Sequence, residues 1–145
     1  MEDDDSLMRV YNQELVALAS LADAPCHLAR AEFAAKAVSP ICGSEVTVEL
    51  ALQDDRVTGF GYEVEACALT KAVIAVMKTA ILGKTRPEIA QAGEELRAML
   101  EGGTPPDGDW AGLKILRPVT EYKARHDSIL LPFEAVEKAL GGRAS

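Results

Sequence analysis

The sequence is poor in the features that mark several functional classes. It holds three cysteines, Cys26, Cys42 and Cys67, an odd number with no CxxC pair. That spacing excludes a disulfide framework and suits a reducing cytoplasm. No cluster of lysine and arginine stands out, and the formal charge is −8, so the basic face of a nucleic-acid binder is missing. No apolar run approaches the ~20 residues that span a bilayer. The opening Met1-Glu2-Asp3-Asp4-Asp5 is acidic and lacks the basic n-region of a secretory signal. There is no internal repeat.

What is present is ordinary globular composition. The 145 residues, 48% apolar and 26% charged, suffice for one domain over 1–145 with a real core. An acidic leader (1–5) precedes it and a short tail (141–145) follows. Leu7, Val10, Tyr11, Leu15, Leu18 and Leu21 recur at helical spacing. They predict a helix over 6–22, with Ser6 as N-cap and an end before Pro25. Three strand-like runs follow, over 30–38, 44–53 and 56–66. The second is the clearest, with Val46, Val48, Leu50 and Leu52 on one side and Glu45, Thr47 and Glu49 on the other. Asp54-Asp55 makes the turn between the second and third. The period then changes. A buried helix is expected over 68–82, closed by Gly83. Thr85 and Glu88 form a capping-box pattern for a helix to Leu100. One helical turn is expected over 110–116, and a last helix over 121–140, ended by Gly141-Gly142, with Pro132 near its first turn or kinking it. Strands first and helices after predict an α+β domain. Its three-stranded antiparallel sheet has helices on one face and a polar, solvated face on the other.

Two cysteines are placed for chemistry. Cys42 lies in the turn between the first and second strands, and Cys67 where the third strand gives way to a helix. An antiparallel meander brings both to one end of the sheet. A helix start also favours thiolate. Two soft thiolates suit zinc, copper(I) or an iron–sulfur centre; two small buried cysteines at sheet edges is the alternative. Cys26 precedes the first strand. A nine-residue strand would carry it to the opposite end, as a structural residue beside His27.

The order helix, three strands, helices carries three motifs. These are Pro40-Ile41-Cys42-Gly43, Glu65-Ala66-Cys67, and the closing run Tyr122-Lys123-Ala124-Arg125-His126-Asp127-Ser128-Ile129-Leu130-Leu131-Pro132-Phe133. Together they resemble the IscU/SufU/NifU-N family of iron–sulfur cluster assembly scaffolds, and the last motif resembles the SufU branch most. The resemblance implies three cysteines and an aspartate around one metal or cluster. Its first two cysteines fall on Cys42 and Cys67, its aspartate on Ser44 and its third cysteine on Ser128; Arg125 matches an arginine of the last motif.

A neutral serine hydroxyl is a poor ligand beside thiolates. Three outcomes follow. His126, or Asp127, takes a vacated ligand place for zinc or an exchangeable cluster. Two subunits share one cluster through four thiolates, as a homodimer. Or the chain binds assembly partners and carries no cluster. A thiol that accepts persulfide sulfur from a cysteine desulfurase is a further reading, and it needs only an exposed, reactive cysteine. A Cys67 nucleophile with His126 as base lacks an oxyanion hole and an orienting group. The expected function is a scaffold, not an enzyme. It would take sulfur from a cysteine desulfurase, hold a labile iron–sulfur cluster or zinc at Cys42 and Cys67, and pass cargo to downstream apo-proteins or a carrier.

Overall fold

The computed structural model of the chain describes residues 13–40 and 43–144. The acidic leader, Ser6 and Cys42 lie outside the described residues. Helix α1, Gln13–Ser20, buries Leu15 and Ala19 and packs on helix α2, Ala68–Ala80. Between them run β1 (Phe33–Val38), β2 (Glu45–Gln53) and β3 (Arg56–Glu65), antiparallel in the order β1-β2-β3. Asp54 and Asp55 turn the hairpin with φ of 54° and 65°. Positive φ at both central residues is the tight turn whose twist matches two antiparallel strands.

The alternation of β2 sends Val46, Val48 and Leu50 fully into the core. Helices α3 (Arg86–Leu100) and α4 (His126–Ala144) complete the helical layer. α4 lies on β1 and β2, and α2 packs between β3 and α4. The sheet thus has its helices on one face, as the sequence predicts. Thr85 and Glu88 form the expected reciprocal capping box at α3.

Four local expectations need correction. The turn over 110–116 is part of a longer run of 3-10 turns, Gly108–Glu121, burying Trp110, Leu113, Leu116 and Val119. Those apolar residues recur every third position, the period of a 3-10 helix. The last helix starts at His126, because Tyr122 breaks the chain at φ −107° and ψ 77° and residues 123–125 form a separate 3-10 turn. It continues through Gly141-Gly142 to Ala144. Pro132 is therefore well inside α4.

The third correction concerns Cys26. Strand β1 has six residues, so the segment before it does not extend it. Cys26 instead pairs with Tyr62 of β3, exchanging backbone bonds of 2.9 and 2.6 Å. From there residues 26–32 cross the outer face of the sheet to reach β1, where Glu32 N–H donates to Leu50 O. The outer face is therefore partly covered, which is the fourth correction. Gly59 and Gly61 make room for the crossing. A Cβ on Gly61 would lie 2.7 Å from the Cys26 carbonyl, and one on Gly59 would lie 3.3 Å from Leu28. Glu49 Oε1 accepts from Leu28 N–H at 2.8 Å. His27 lies between Glu49 (3.4 Å) and Glu63 (3.0 Å), and hydrogen bonds to these two carboxylates raise its pKa above the ordinary value.

Strand β3 is also met at its other end. Val57 N–H donates to Lys84 O, and Gly83 N–H to Val57 O. On the far side of the sheet Lys138 Nζ donates to the Lys36 carbonyl at 3.0 Å.

Candidate functional site

The strand register sets the frame. Val38 pairs with Glu45, and Glu45 with Glu65. The turn at 39–44 and the β3–α2 junction therefore share one end of the sheet. Ser39 N–H donates to Ser44 O at 2.9 Å and Gly43 N–H to Ser39 O at 2.8 Å, which closes the turn tightly. Gly43 has φ of +74°, a left-handed conformation that glycine adopts without penalty. Ser39 and Ser44 are both buried. Among the described residues Ser39 Oγ has no hydrogen-bond partner. Cys42 belongs to this turn by sequence and lies outside the described residues.

Cys67 is the N-cap residue of α2, in extended conformation (φ −72°, ψ 170°), and its side chain does not cap the backbone. It is half-buried. Its Sγ faces Thr70 Oγ1 at 3.7 Å. Thr70, fully buried one turn into α2, donates to the Ser128 carbonyl at 2.9 Å. Ser128, also buried, is in the first turn of α4. Helix starts α2 and α4 thus meet behind Cys67.

The remaining candidates divide. His126 Nε2 lies 3.0 Å from the Thr120 carbonyl. A carbonyl only accepts, so Nε2–H is the donor in this contact. His126 lines a cavity of about 390 Å³ with Leu100, Glu101, Thr120 and Lys123. Arg125 is half-buried in the 3-10 turn, its N–H on Tyr122 O at 2.8 Å. Asp127 is exposed. At the edge of the site Lys36 pairs with Glu45 at 2.7 Å, and that hydrogen bond holds its pKa up.

Among the described residues no group of three or more His, Cys, Asp and Glu is arranged to hold a metal ion. The two family positions that hold serine are buried hydroxyls. They do not match the thiolate, imidazole and carboxylate sets of zinc and iron–sulfur sites. With Cys42, the chain offers thiolates at two of the four positions that the family resemblance marks. Sequence reasoning missed Thr70 and Ser39. The signal for Thr70 was a hydroxyl three residues after a helix-start cysteine; Ser39 left none.

No family model matches the chain. Curated relatives include the iron–sulfur cluster assembly scaffold protein IscU of Thermotoga maritima, 26% identical over 99 residues, 68% of this chain and 70% of that protein. The zinc-dependent sulfurtransferase SufU of Bacillus subtilis is 26% identical over 103 residues, 70% of each chain. Among solved structures, the N-terminal part of a nitrogen-fixing NifU-like protein from Brucella abortus superposes with a TM-score of 0.87. It is 38% identical and covers 93% of this chain and 94% of its own. A putative iron–sulfur cluster assembly scaffold protein for the SUF system from Fervidobacterium islandicum gives a TM-score of 0.82 at 23% identity, covering 91% and 97%; that likeness shows the fold. No helix among the described residues is long and apolar enough to cross a membrane. With one relative 38% identical over nearly its whole length, and with a three-stranded antiparallel sheet under a helical layer, the chain belongs to the IscU/SufU/NifU-N family of iron–sulfur cluster assembly scaffold proteins.

Proposed function

We propose that the chain is a cluster-assembly scaffold that presents half a site. Cys42 and Cys67 supply two thiolates, and a second copy of the chain supplies the other two. The observation that supports this reading is the burial of Ser44 and Ser128 at the two family positions that would otherwise complete the set. An iron–sulfur cluster takes four thiolates as a rule, and two chains with two each meet that count. The cluster is cargo here, not a resident cofactor. Its sulfur comes from a cysteine desulfurase and its destination is an apo-protein or a carrier. The protein acts in the cytoplasm as a carrier without catalytic turnover of its own.

The test is iron and acid-labile sulfide in protein purified without oxygen, beside Cys42→Ala and Cys67→Ala. The half-site reading expects about one iron per chain, as a two-iron cluster shared by two chains. It also expects a dimer by light scattering when loaded, and loss of both iron and sulfide in either variant. Zinc in place of iron would turn the reading to a sulfur acceptor, with His126 Nδ1 as candidate third ligand. A metal-free parent that binds a desulfurase equally well as Cys67→Ala would turn it to a partner-binding module.

A further inference from the structure

The crossing segment shows what the outer face of the sheet accepts. Residues 26–32 run from β3 toward β1 over Gly59 and Gly61, and they set one basic side chain between carboxylates of two strands. His27 Nδ1 lies 3.4 Å from Glu49 of β2, and Nε2 lies 3.0 Å from Glu63 of β3. The segment stops short of the cysteine end. The register places two rows of outward residues from there on: Lys36, Thr47 and Glu63, then Val38, Glu45 and Glu65. Residues two apart on a strand are ~7 Å apart and neighbouring strands ~5 Å, so the two rows form a ledge as broad as one extended segment. Over it lies a cavity of about 190 Å³ lined by Lys36, Glu45, Thr47, Glu63 and Glu65. Three carboxylates there face one ammonium. Glu45 and Glu65 stand directly opposite in register, and like charges so placed destabilise a sheet. Lys36 answers Glu45 at 2.7 Å. That hydrogen bond holds its pKa up, as do the charges of Glu45, Glu65 and Glu63. Val38, at the β1 border of the ledge, is 51% exposed.

We propose that this ledge is a docking surface for a partner protein, which lays an extended segment with a basic side chain across it, beside the crossing segment. The covered half of the face supplies the pattern, a basic side chain between glutamates of β2 and β3. The open half repeats the slot, with Glu45 and Glu65 in place of Glu49 and Glu63. A cation set there offsets the repulsion that the bare sheet retains, and Val38 gives the segment an apolar contact where it leaves the ledge. The chain's own leader, Glu2-Asp3-Asp4-Asp5, has the wrong charge for the slot. The last row of the ledge borders the 39–44 turn and the β3–α2 junction, so a protein docked there stands next to Cys67. That such a partner exchanges cargo with the chain rests on the scaffold reading; the docking itself does not.

The experiment titrates the full, isotope-labelled chain with the peptide acetyl-Gly-Arg-Thr-Arg-Gly-amide, whose two arginines fall on one side when it is extended. It is done at low ionic strength, where surface charges are least screened. Amide shifts are expected at 36–38, 45–47 and 63–65, and none over α3. Glu65→Lys is expected to weaken binding about fivefold, the size of two exposed charge contacts. This variant sets a lysine opposite Glu45, an arrangement that suits the sheet, and its amide spectrum checks that it is folded. Glu94→Lys, exposed on α3, changes the net charge by the same amount and is expected to weaken binding less than about twofold. No shifts, shifts spread equally over α3, or equal weakening by the two variants overturns the proposal. Spermidine, a cation without a peptide backbone, is the control. The same shifts at the same affinity would mean that the ledge takes any polycation, and would overturn the docked segment. No metal, cluster or sulfur donor enters the readout, so its failure leaves the iron and sulfide test of the scaffold reading untouched.

Discussion

The two ends of the sheet treat their polar groups in opposite ways. At the hairpin end they are on the surface and answer one another. Arg56 Nη1 donates to Gly83 O at 2.8 Å and lies 3.7 Å from Glu88, while Glu88 and Thr85 cap α3. At the cysteine end, beside the exposed Lys36–Glu45 pair, four of them are buried hydroxyls. Ser39, Ser44, Thr70 and Ser128 are the four buried polar residues among those described, and all of them lie there. Surface pairs exchange with water at little cost. Buried hydroxyls do not, and one left without a partner costs free energy. The hairpin end closes the structure. The cysteine end keeps polar chemistry inside a core, against the trend of the rest of the molecule, and Cys67 stands beside it.

That contrast can be broken by substitution. The largest effect is expected for Thr70→Val, which keeps the volume and removes the buried hydrogen bond to the Ser128 carbonyl. A loss of about 1–3 kcal/mol is expected in urea unfolding. At the hairpin end Thr85→Ala removes a cap that is partly exposed, with an expected loss of about 1 kcal/mol. If Thr85→Ala proves the costlier of the two, the two ends do not differ as described. Ser39→Ala sharpens the contrast from the other side. Its hydroxyl has no partner among the described residues, so removal should be neutral or stabilise by up to about 1 kcal/mol. A clear loss would mean that Ser39 is satisfied after all.

The smallest effect belongs to neither end. His27, exposed between Glu49 and Glu63, has a raised pKa. Its contribution to stability is fully present below the ordinary imidazole value and fades as pH rises through the raised one. Proton NMR should place its midpoint above 6.5, and Glu63→Gln should lower it. A midpoint at or below the ordinary value would show that the crossing segment is not held by this contact.

Much of this was legible beforehand, for identifiable reasons. β2 alternates so regularly that its buried face could be read residue by residue. The Thr85–Glu88 box is a local code and appeared as written. What failed was non-local. Nothing between Cys26 and Glu32 announces that the chain turns across the sheet; the signal lay 30 residues later, in two glycines one pleat apart. Gly59 and Gly61 were read as ordinary strand residues, although a strand interior loses packing at each. Of the site, the sequence showed that the 39–44 turn and the start of the helix after β3 share one end of the sheet, and the strand register bears that out. The Thr70 contact was not legible, because its partner, the Ser128 carbonyl, is 58 residues away in another helix.

The crossing segment has a consequence for how copies of this chain can meet. A three-stranded sheet has two open edges, and an open edge invites another sheet to add to it. Here Cys26 occupies the backbone of β3 at Tyr62, and the stretch 83–85 occupies it near Val57. On β1, Lys138 takes the Lys36 carbonyl. Both borders are blunted by the chain's own backbone and side chains. Strand-to-strand growth between copies is discouraged.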